Sequence, residues 1–170
     1  MEIIIGLVVL SLIIIFFARK QSDANKIGSV KTGLDTAFPV GRVISPPFGE
    51  YEYDIVGEAS YQQALDAIVG GKTESSVELK KLARIKRDLG NQYDKNAVVV
   101  LVDNRTVGYL NKYDAKEFCN LIQRKGFHSS DSFDVEALIV GGWKRKDGEG
   151  KFGVKLNMPD DINDVVIQKY

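Results

Sequence analysis

The residues with the most evident chemistry lie together in the segment 91–97, which reads Asn-Gln-Tyr-Asp-Lys-Asn-Ala. Asn91 offers an amide, Tyr93 an aromatic ring and Asp94 a carboxylate. An aromatic ring stacks on other flat rings, and an ionised carboxylate accepts a hydrogen bond from a hydroxyl but repels a phosphate. The same residue types also form ordinary turns, in which Tyr93 would pack on the domain and Asp94 would cap the loop. The segment therefore predicts either a ligand pocket or a structural loop.

The rest of the sequence offers little for catalysis. It has one cysteine, Cys119, and one histidine, His128, so neither an intrachain disulfide nor a Cys/His zinc site can form. A nucleophile–histidine pair would have to use His128, which lies in the polar stretch 125–132 and reads as an exposed loop residue. We therefore expect a non-catalytic binding domain that uses no metal and no cofactor.

The charge balance limits any role in binding nucleic acid. Among 170 residues, 23 are Lys or Arg and 23 are Asp or Glu. A protein that wraps duplex nucleic acid usually carries excess positive charge, so a nucleic-acid role here must depend on a local patch or pocket. Arg84 and Lys86, on one face of a predicted strand, are the candidate cations; the alternative is that they form a solvated face of that strand.

The N-terminal residues 3–18 form an uncharged apolar run. As a helix the run would be about 24 Å long, short of a hydrocarbon core of about 30 Å, and snorkelling by Arg19 and Lys20 could close the gap. We expect residues 1–20 to be a single-pass membrane anchor, with a cleaved signal peptide or a buried helix as alternatives. Positive charge after the run places the following domain on the cytoplasmic side.

The remaining sequence divides into three parts. Residues 21–50 are polar and contain three of the four prolines, which indicates a linker with a short strand near 41–45. Residues 51–157 carry the periodic apolar pattern of one domain. Residues 158–170 are acidic and read as a peripheral tail.

Within the domain, the apolar pattern predicts a mostly β structure with two helices. The predicted helices cover 60–69 and 114–124, and the predicted strands cover 51–56, 77–87, 97–102, 106–110, 133–140 and 151–156. Short antiparallel strands that each bury one face fit a strongly curved sheet or a small closed barrel.

Three motifs together resemble the HIRAN domain, which occurs in DNA-damage-tolerance helicases of the Snf type and as a stand-alone module in bacteria and phages. They are Ile55-Val56-Gly57 followed by Tyr61, the segment 91–97, and Val107-Gly108-Tyr109-Leu110. The resemblance covers roughly residues 54–156, and it implies an OB-like antiparallel β-barrel with flanking helices.

The resemblance also implies a ligand, because the helicase members bind the 3′ end of single-stranded DNA. Asn91, Tyr93 and Asp94 match the pocket motif, in which the tyrosine stacks on the terminal base and the aspartate accepts a hydrogen bond from the 3′-hydroxyl. Ala59 and Ser60 depart from the helicase pattern, which has a basic–aromatic pair there. Tyr61 matches the aromatic residue that follows, Arg84 and Lys86 could hold phosphates, and Trp143 is the best candidate for a later pocket aromatic.

Two functional hypotheses follow. The first is a membrane-tethered, non-catalytic module that binds a single-stranded DNA end through Asn91, Tyr93 and Asp94, with Tyr61, Arg84, Lys86 and Trp143 in support. The second is an adaptor domain that binds a partner protein through the same barrel surface or a sheet edge, without nucleic acid. Trp143 could equally be a packing residue, and the oligomeric state stays open.

Overall fold

The computed structural model describes residues 38–47 and 49–170. The helices are α1 (Gln62–Val69) and α2 (Lys112–Arg124), and short 3₁₀ turns cover Glu58–Ser60 and Ile162–Asp164. The strands are β1 (Gly41–Val43), β2 (Tyr53–Asp54), β3 (Val77–Arg87), β4 (Val98–Val102), β5 (Arg105–Tyr109), β6 (Ser132–Gly141), β7 (Lys144–Arg145), β8 (Gly148–Glu149), β9 (Phe152–Leu156) and β10 (Ile167–Lys169). The prediction of a mostly β structure with two helices is confirmed.

Two long strands, β3 and β6, form the centre of the sheet. They pair antiparallel from Val77 opposite Gly141 to Lys86 opposite Ser132. Ala83 and Ile85 of β3 point into the core, where they meet alternate buried residues of β6. Because side chains alternate along a strand, Arg84 and Lys86 lie on the other face.

The sheet curls on itself around this pair. On one side β3 pairs with β4 and β4 with β5; on the other side β6 pairs with β9 and β9 with β2. Val56, just after β2, bridges Tyr109 of β5 and so connects the two sides. A Cβ atom on Gly108 would lie 2.6 Å from Ile55 Cδ1 and 2.7 Å from the Val56 carbonyl oxygen, so this close approach requires glycine.

The helices close the core of the curled sheet. Leu65 of α1 is fully buried, and Phe118 of α2 meets Phe133 edge to face, with 5.8 Å between ring centroids. Asn111 caps α2 by accepting a hydrogen bond from the Asp114 backbone N–H. This cap fixes where α2 starts, directly after β5.

The C-terminal residues are part of the fold, although the sequence predicted a peripheral tail. β10 pairs antiparallel with β1, which also pairs in parallel with β6. Met158, Ile162 and Val165 are buried. The acidic residues among them are exposed, so a segment that is acidic on average still has an apolar side to bury.

Two expectations concern residues that the structure does not describe. The expected anchor, residues 1–20, and most of the expected linker, residues 21–50, lie outside the described residues. Within the described part of the chain, no helix is both long enough and apolar enough to cross a membrane.

Candidate nucleic-acid interface

The segment 91–97 lies in the connection between β3 and β4, which we call the motif loop (residues 88–97). Asn91 Oδ1 accepts hydrogen bonds from the backbone N–H groups of Tyr93 and Asp94, both at 3.0 Å. Asp94 Oδ1 accepts one from the Asn96 backbone N–H at 2.9 Å. Asn91 and Asp94 therefore hold the loop in shape, as the structural-loop interpretation expected.

Tyr93 does not follow that interpretation, because its side chain is 98% exposed. It does not pack on the domain. Tyr93 is the most exposed of the large apolar side chains in residues 38–47 and 49–170. The motif loop thus combines a fixed backbone with an available aromatic face.

Asp88 connects the motif loop to the sheet. Its Oδ2 accepts a hydrogen bond from Asn91 Nδ2 at 3.2 Å and another from the Tyr109 hydroxyl at 3.1 Å. Burial raises the pKa of Tyr109 well above its ordinary value, and the neighbouring Tyr61 hydroxyl and Asp88 raise it further. Tyr109 therefore stays protonated at neutral pH and can donate to Asp88.

Tyr61 belongs to the same cluster. Its ring centroid lies 6.3 Å from that of Tyr109, with the ring planes tilted by 45°. The structure therefore connects Tyr61 to the motif loop through Tyr109 and Asp88. We call this set the tyrosine cluster (Tyr61, Tyr109 and Asp88).

Lys86 lies in the same row of the sheet as this cluster. Lys86 is opposite Val99 in β4, and Val99 is opposite Tyr109 in β5. Residues opposite each other in neighbouring strands share a face, so Lys86 and Tyr109 lie on one surface. Lys86 is therefore the predicted cation closest in register to the tyrosine cluster.

Arg84 lies one row further from the motif loop. Its Nε is 3.4 Å from Asp134 Oδ1, and Asp134 also accepts a hydrogen bond from the Tyr170 hydroxyl at 3.0 Å. The charge of Arg84 is thus partly balanced by a mostly buried carboxylate. Arg84 shares this face of β3 with Lys86, because side chains alternate along a strand.

Trp143 lies at the opposite end of the β3–β6 pair and does not join the motif loop. It follows Gly141, which pairs with Val77 at the start of β3, whereas the motif loop follows the end of β3. A strand of this length spans about 33 Å. The Arg145 guanidinium lies 5.1 Å from the Trp143 ring centroid, and Arg145 Nε also donates to the Glu74 carbonyl oxygen at 3.0 Å.

Sequence reasoning missed Asp88 and Tyr109 as members of the site. Tyr109 was visible in the motif Val107-Gly108-Tyr109-Leu110, but nothing in the sequence showed that its hydroxyl reaches the motif loop. Asp88 looks like an ordinary residue at the end of a basic strand. Only the pairing of β3, β4 and β5 places the two side chains within hydrogen-bonding distance.

The underside of the motif loop rests on α2. Cys119 Sγ lies 3.5 Å from the Asn96 carbonyl oxygen. Burial raises the pKa of the Cys119 thiol, which keeps it in the uncharged form at neutral pH. Among the described residues, no group of His, Cys, Asp and Glu side chains is arranged to hold a metal ion.

Comparison with known proteins supports the family. The model of the HIRAN domain family matches residues 48–139, more than half of the chain. This range includes the motif loop and the tyrosine cluster but not Trp143. No curated protein and no solved structure matched the chain. HIRAN domains are in general modules that bind nucleic acid, typically the 3′ end of a single strand. The match establishes that the chain belongs to the HIRAN domain family.

Proposed function

We propose that this chain is a non-catalytic module that holds the 3′ end of a single DNA strand at the motif loop and the tyrosine cluster. The observation that carries the proposal is the almost complete exposure of Tyr93 on a loop that is fixed by side-chain hydrogen bonds. A preorganised loop pays little ordering entropy when it binds, so the ring is ready for a ligand.

Tyr93 would stack on the terminal base. Stacking of a base on an aromatic side chain contributes about 1–3 kcal/mol and tolerates any base. Tyr61 and Tyr109 lie on the sheet side of the loop and offer further apolar surface for the terminal nucleotide. The proposed site therefore recognises a strand end without selecting its sequence.

Asp94 would distinguish the chemistry of that end. The Asn96 backbone N–H occupies one oxygen of the Asp94 carboxylate, and no described residue donates a hydrogen bond to the other oxygen. That oxygen can accept from a 3′-hydroxyl, whereas a 3′-phosphate would place like charges together. We therefore expect the site to select an unphosphorylated end.

Among the described residues, the cations near the site are few, so binding should be modest. Lys86 shares the surface of the tyrosine cluster, Lys95 is exposed on the motif loop, and the Arg87 guanidinium donates to the Lys95 carbonyl oxygen at 2.8 Å. Ala59 and Ser60, where helicase members have a basic–aromatic pair, are exposed beside Tyr61 and supply neither charge nor an aromatic ring. With so few phosphate contacts, affinity should fall only gently as salt increases.

The test is a titration of the full chain, in detergent micelles, with a labelled single strand that ends in either a 3′-hydroxyl or a 3′-phosphate. We expect the hydroxyl end to bind at least about tenfold more tightly. An Asp94→Asn variant should lose most of this preference, because the amide carries no charge. Equal, weak and strongly salt-dependent binding of both ends would contradict end recognition.

We also propose that residues 3–18 tether this module to a membrane, with the domain on the cytoplasmic side. The uncharged apolar run followed by Arg19 and Lys20 supports this. The expected result is that the chain stays with membranes after alkaline carbonate extraction. A C-terminal reporter that is active only outside the membrane should stay silent; an active reporter would reverse the orientation.

A further inference from the structure

Within the part of the chain that the structure describes, one half of β3 has a partner strand on one side only. β4 pairs with β3 from Ala83 to Arg87 and ends there. β6 pairs with β3 along almost its whole length. Among the described residues, no strand pairs with Val77–Leu82 on the side away from β6, so these residues form an open sheet edge. We call them the open edge (residues 77–82).

The register shows which backbone groups this edge presents. The Asp88 backbone N–H donates to the Ala97 carbonyl oxygen, so Asp88 directs its backbone groups toward β4. Backbone direction alternates along a strand, and the β3–β4 ladder runs without a bulge. Glu78, Lys80 and Leu82 therefore direct their N–H and C=O groups out of the open edge.

We propose that the open edge of a second copy of this chain pairs with it, antiparallel, around a two-fold axis at Leu79. A two-fold axis requires the same segment on both copies, and residues opposite each other must share a face. Glu78 and Lys80 are exposed on one face, and Leu79 lies on the other. Only registers that place even-numbered residues opposite even-numbered residues satisfy this condition.

Charge selects between the two central registers. With the axis at Leu79, Glu78 lies opposite Lys80 of the second copy, and this ion pair occurs twice. With the axis at Lys80, the two Lys80 side chains lie opposite each other. Opposite charges stabilise a cross-strand pair and like charges destabilise it, so the register centred on Leu79 is preferred.

The same charges argue against other occupants. Lysine on an edge strand is a common device against unspecific pairing, and Lys80 is exposed on the open edge. An incoming strand must supply an acidic residue opposite Lys80 and a basic one opposite Glu78, and the open edge itself does both. This pairing between two copies requires no nucleic acid. If the copies do not pair, the proposed binding of a DNA end is unaffected.

Disulfide trapping in the full chain tests the register. Cys119 is replaced by Ser, so that each introduced cysteine is the only one. At the axis, the two Leu79 Cα atoms would lie about 4.5 Å apart, which a disulfide can bridge. The Lys80 pair would be separated by about 8 Å and the Leu82 pair by about 20 Å, beyond disulfide reach.

We expect Leu79→Cys to form covalent dimers on mild oxidation at least about tenfold faster than Lys80→Cys or Leu82→Cys. Leu82 is 60% exposed, so random collisions would favour its cysteine instead. Dimers from Leu82→Cys as fast as those from Leu79→Cys would overturn the proposal. So would the absence of dimers from Leu79→Cys, as expected if residues 1–37 or another protein covered the edge.

Charge reversal gives an independent test on exposed residues. In the Leu79→Cys chain, Glu78→Lys places a lysine opposite Lys80 in both symmetry-related pairs of the dimer. This repulsion should slow dimer formation about tenfold. Adding Lys80→Glu to that variant restores opposite charges and should restore the rate. An unchanged rate in the single variant, or no recovery in the double variant, would overturn the register. Sedimentation of the same variants without oxidation should follow the same order.

Discussion

The two ends of the β3–β6 pair resemble each other in composition but differ in what their aromatic residues can contact. At one end, Tyr93 is exposed on the motif loop beside Lys95. At the other end, Trp143 stands beside Lys144, Arg145 and Lys146. The Trp143 end is the more basic of the two, and a reading of composition alone would favour it for binding a polyanion.

The structure reverses that ranking. Trp143 is half-buried, and a Cβ atom on Gly150 would come within 2.3 Å of its Nε1, so the β7–β8 hairpin lies directly on the ring. Arg145 covers the ring as well. No residue in the described part of the chain covers Tyr93, whose side chain is 98% exposed. An aromatic residue can recognise a base only if its face is open, and this distinguishes a packing residue from a binding residue.

The largest effect should come from Tyr93→Ala. We expect a loss of 3′-end affinity of about 10- to 100-fold, because stacking contributes about 1–3 kcal/mol. The melting temperature should not change, since the side chain is exposed. Fluorescence anisotropy and thermal denaturation of the same preparation measure both. A fall in melting temperature of several degrees would show that Tyr93 packs on the domain.

Trp143→Ala should show the opposite pattern. We expect a loss of stability of about 1–3 kcal/mol, less than for a fully buried aromatic residue, because the hairpin and Arg145 lose their packing partner. Affinity for a short oligonucleotide should stay within about twofold. Urea denaturation and anisotropy would measure these effects. If affinity fell as far as in Tyr93→Ala, Trp143 would belong to the site and the contrast between the two ends would fail.

Tyr109→Phe should have an intermediate effect. It removes the hydrogen bond to Asp88 but keeps the ring, so the motif loop loses one attachment to the sheet. We expect a loss of affinity of about three- to tenfold, in line with about 0.5–1.5 kcal/mol for one hydrogen bond. Hydrogen exchange of the Tyr93 and Asp94 amides should accelerate. Unchanged exchange and affinity would mean that Asp88 and Tyr109 do not position the loop.

Lys146→Ala should have the smallest effect. Lys146 is exposed in the turn between β7 and β8. We expect stability to change by less than about 0.5 kcal/mol. Affinity for a DNA oligonucleotide that is too short to extend along the whole of β3 should not change. Fluorescence anisotropy at low salt would measure this affinity. Lys95→Ala, on the motif loop, is the matched control and should weaken binding at low salt.

Much of the fold follows from the sequence, because its strands and helices carry regular apolar patterns. The range predicted for β3 is confirmed, and the other main elements lie within a few residues of their predicted ranges. Residues 158–170 show where this reasoning fails: average acidity hid Ile162 and Val165, which fill the core. Short strands such as β10 gain their stability from partners distant in sequence.

The candidate site was only partly predictable. Motif spacing indicated Asn91, Tyr93 and Asp94 because they are neighbours in the chain, and the resemblance added Tyr61. The sequence could not show that Asp88 joins Tyr109 to Asn91, since that contact depends on the pairing of three strands. Nor could it separate Trp143 from the motif loop, because the distance between them is set by the length and register of β3 and β6.

The most direct measurement places the fluorescent base 2-aminopurine at the 3′-terminal position of a single strand, with the same base at the 5′ end as control. Stacking on tyrosine would quench it. We predict quenching at the 3′ position by the wild-type chain and by Trp143→Ala, little quenching by Tyr93→Ala, and none at the 5′ position. Equal quenching at both ends, or quenching that is lost in Trp143→Ala and kept in Tyr93→Ala, would contradict recognition of the strand end at the motif loop.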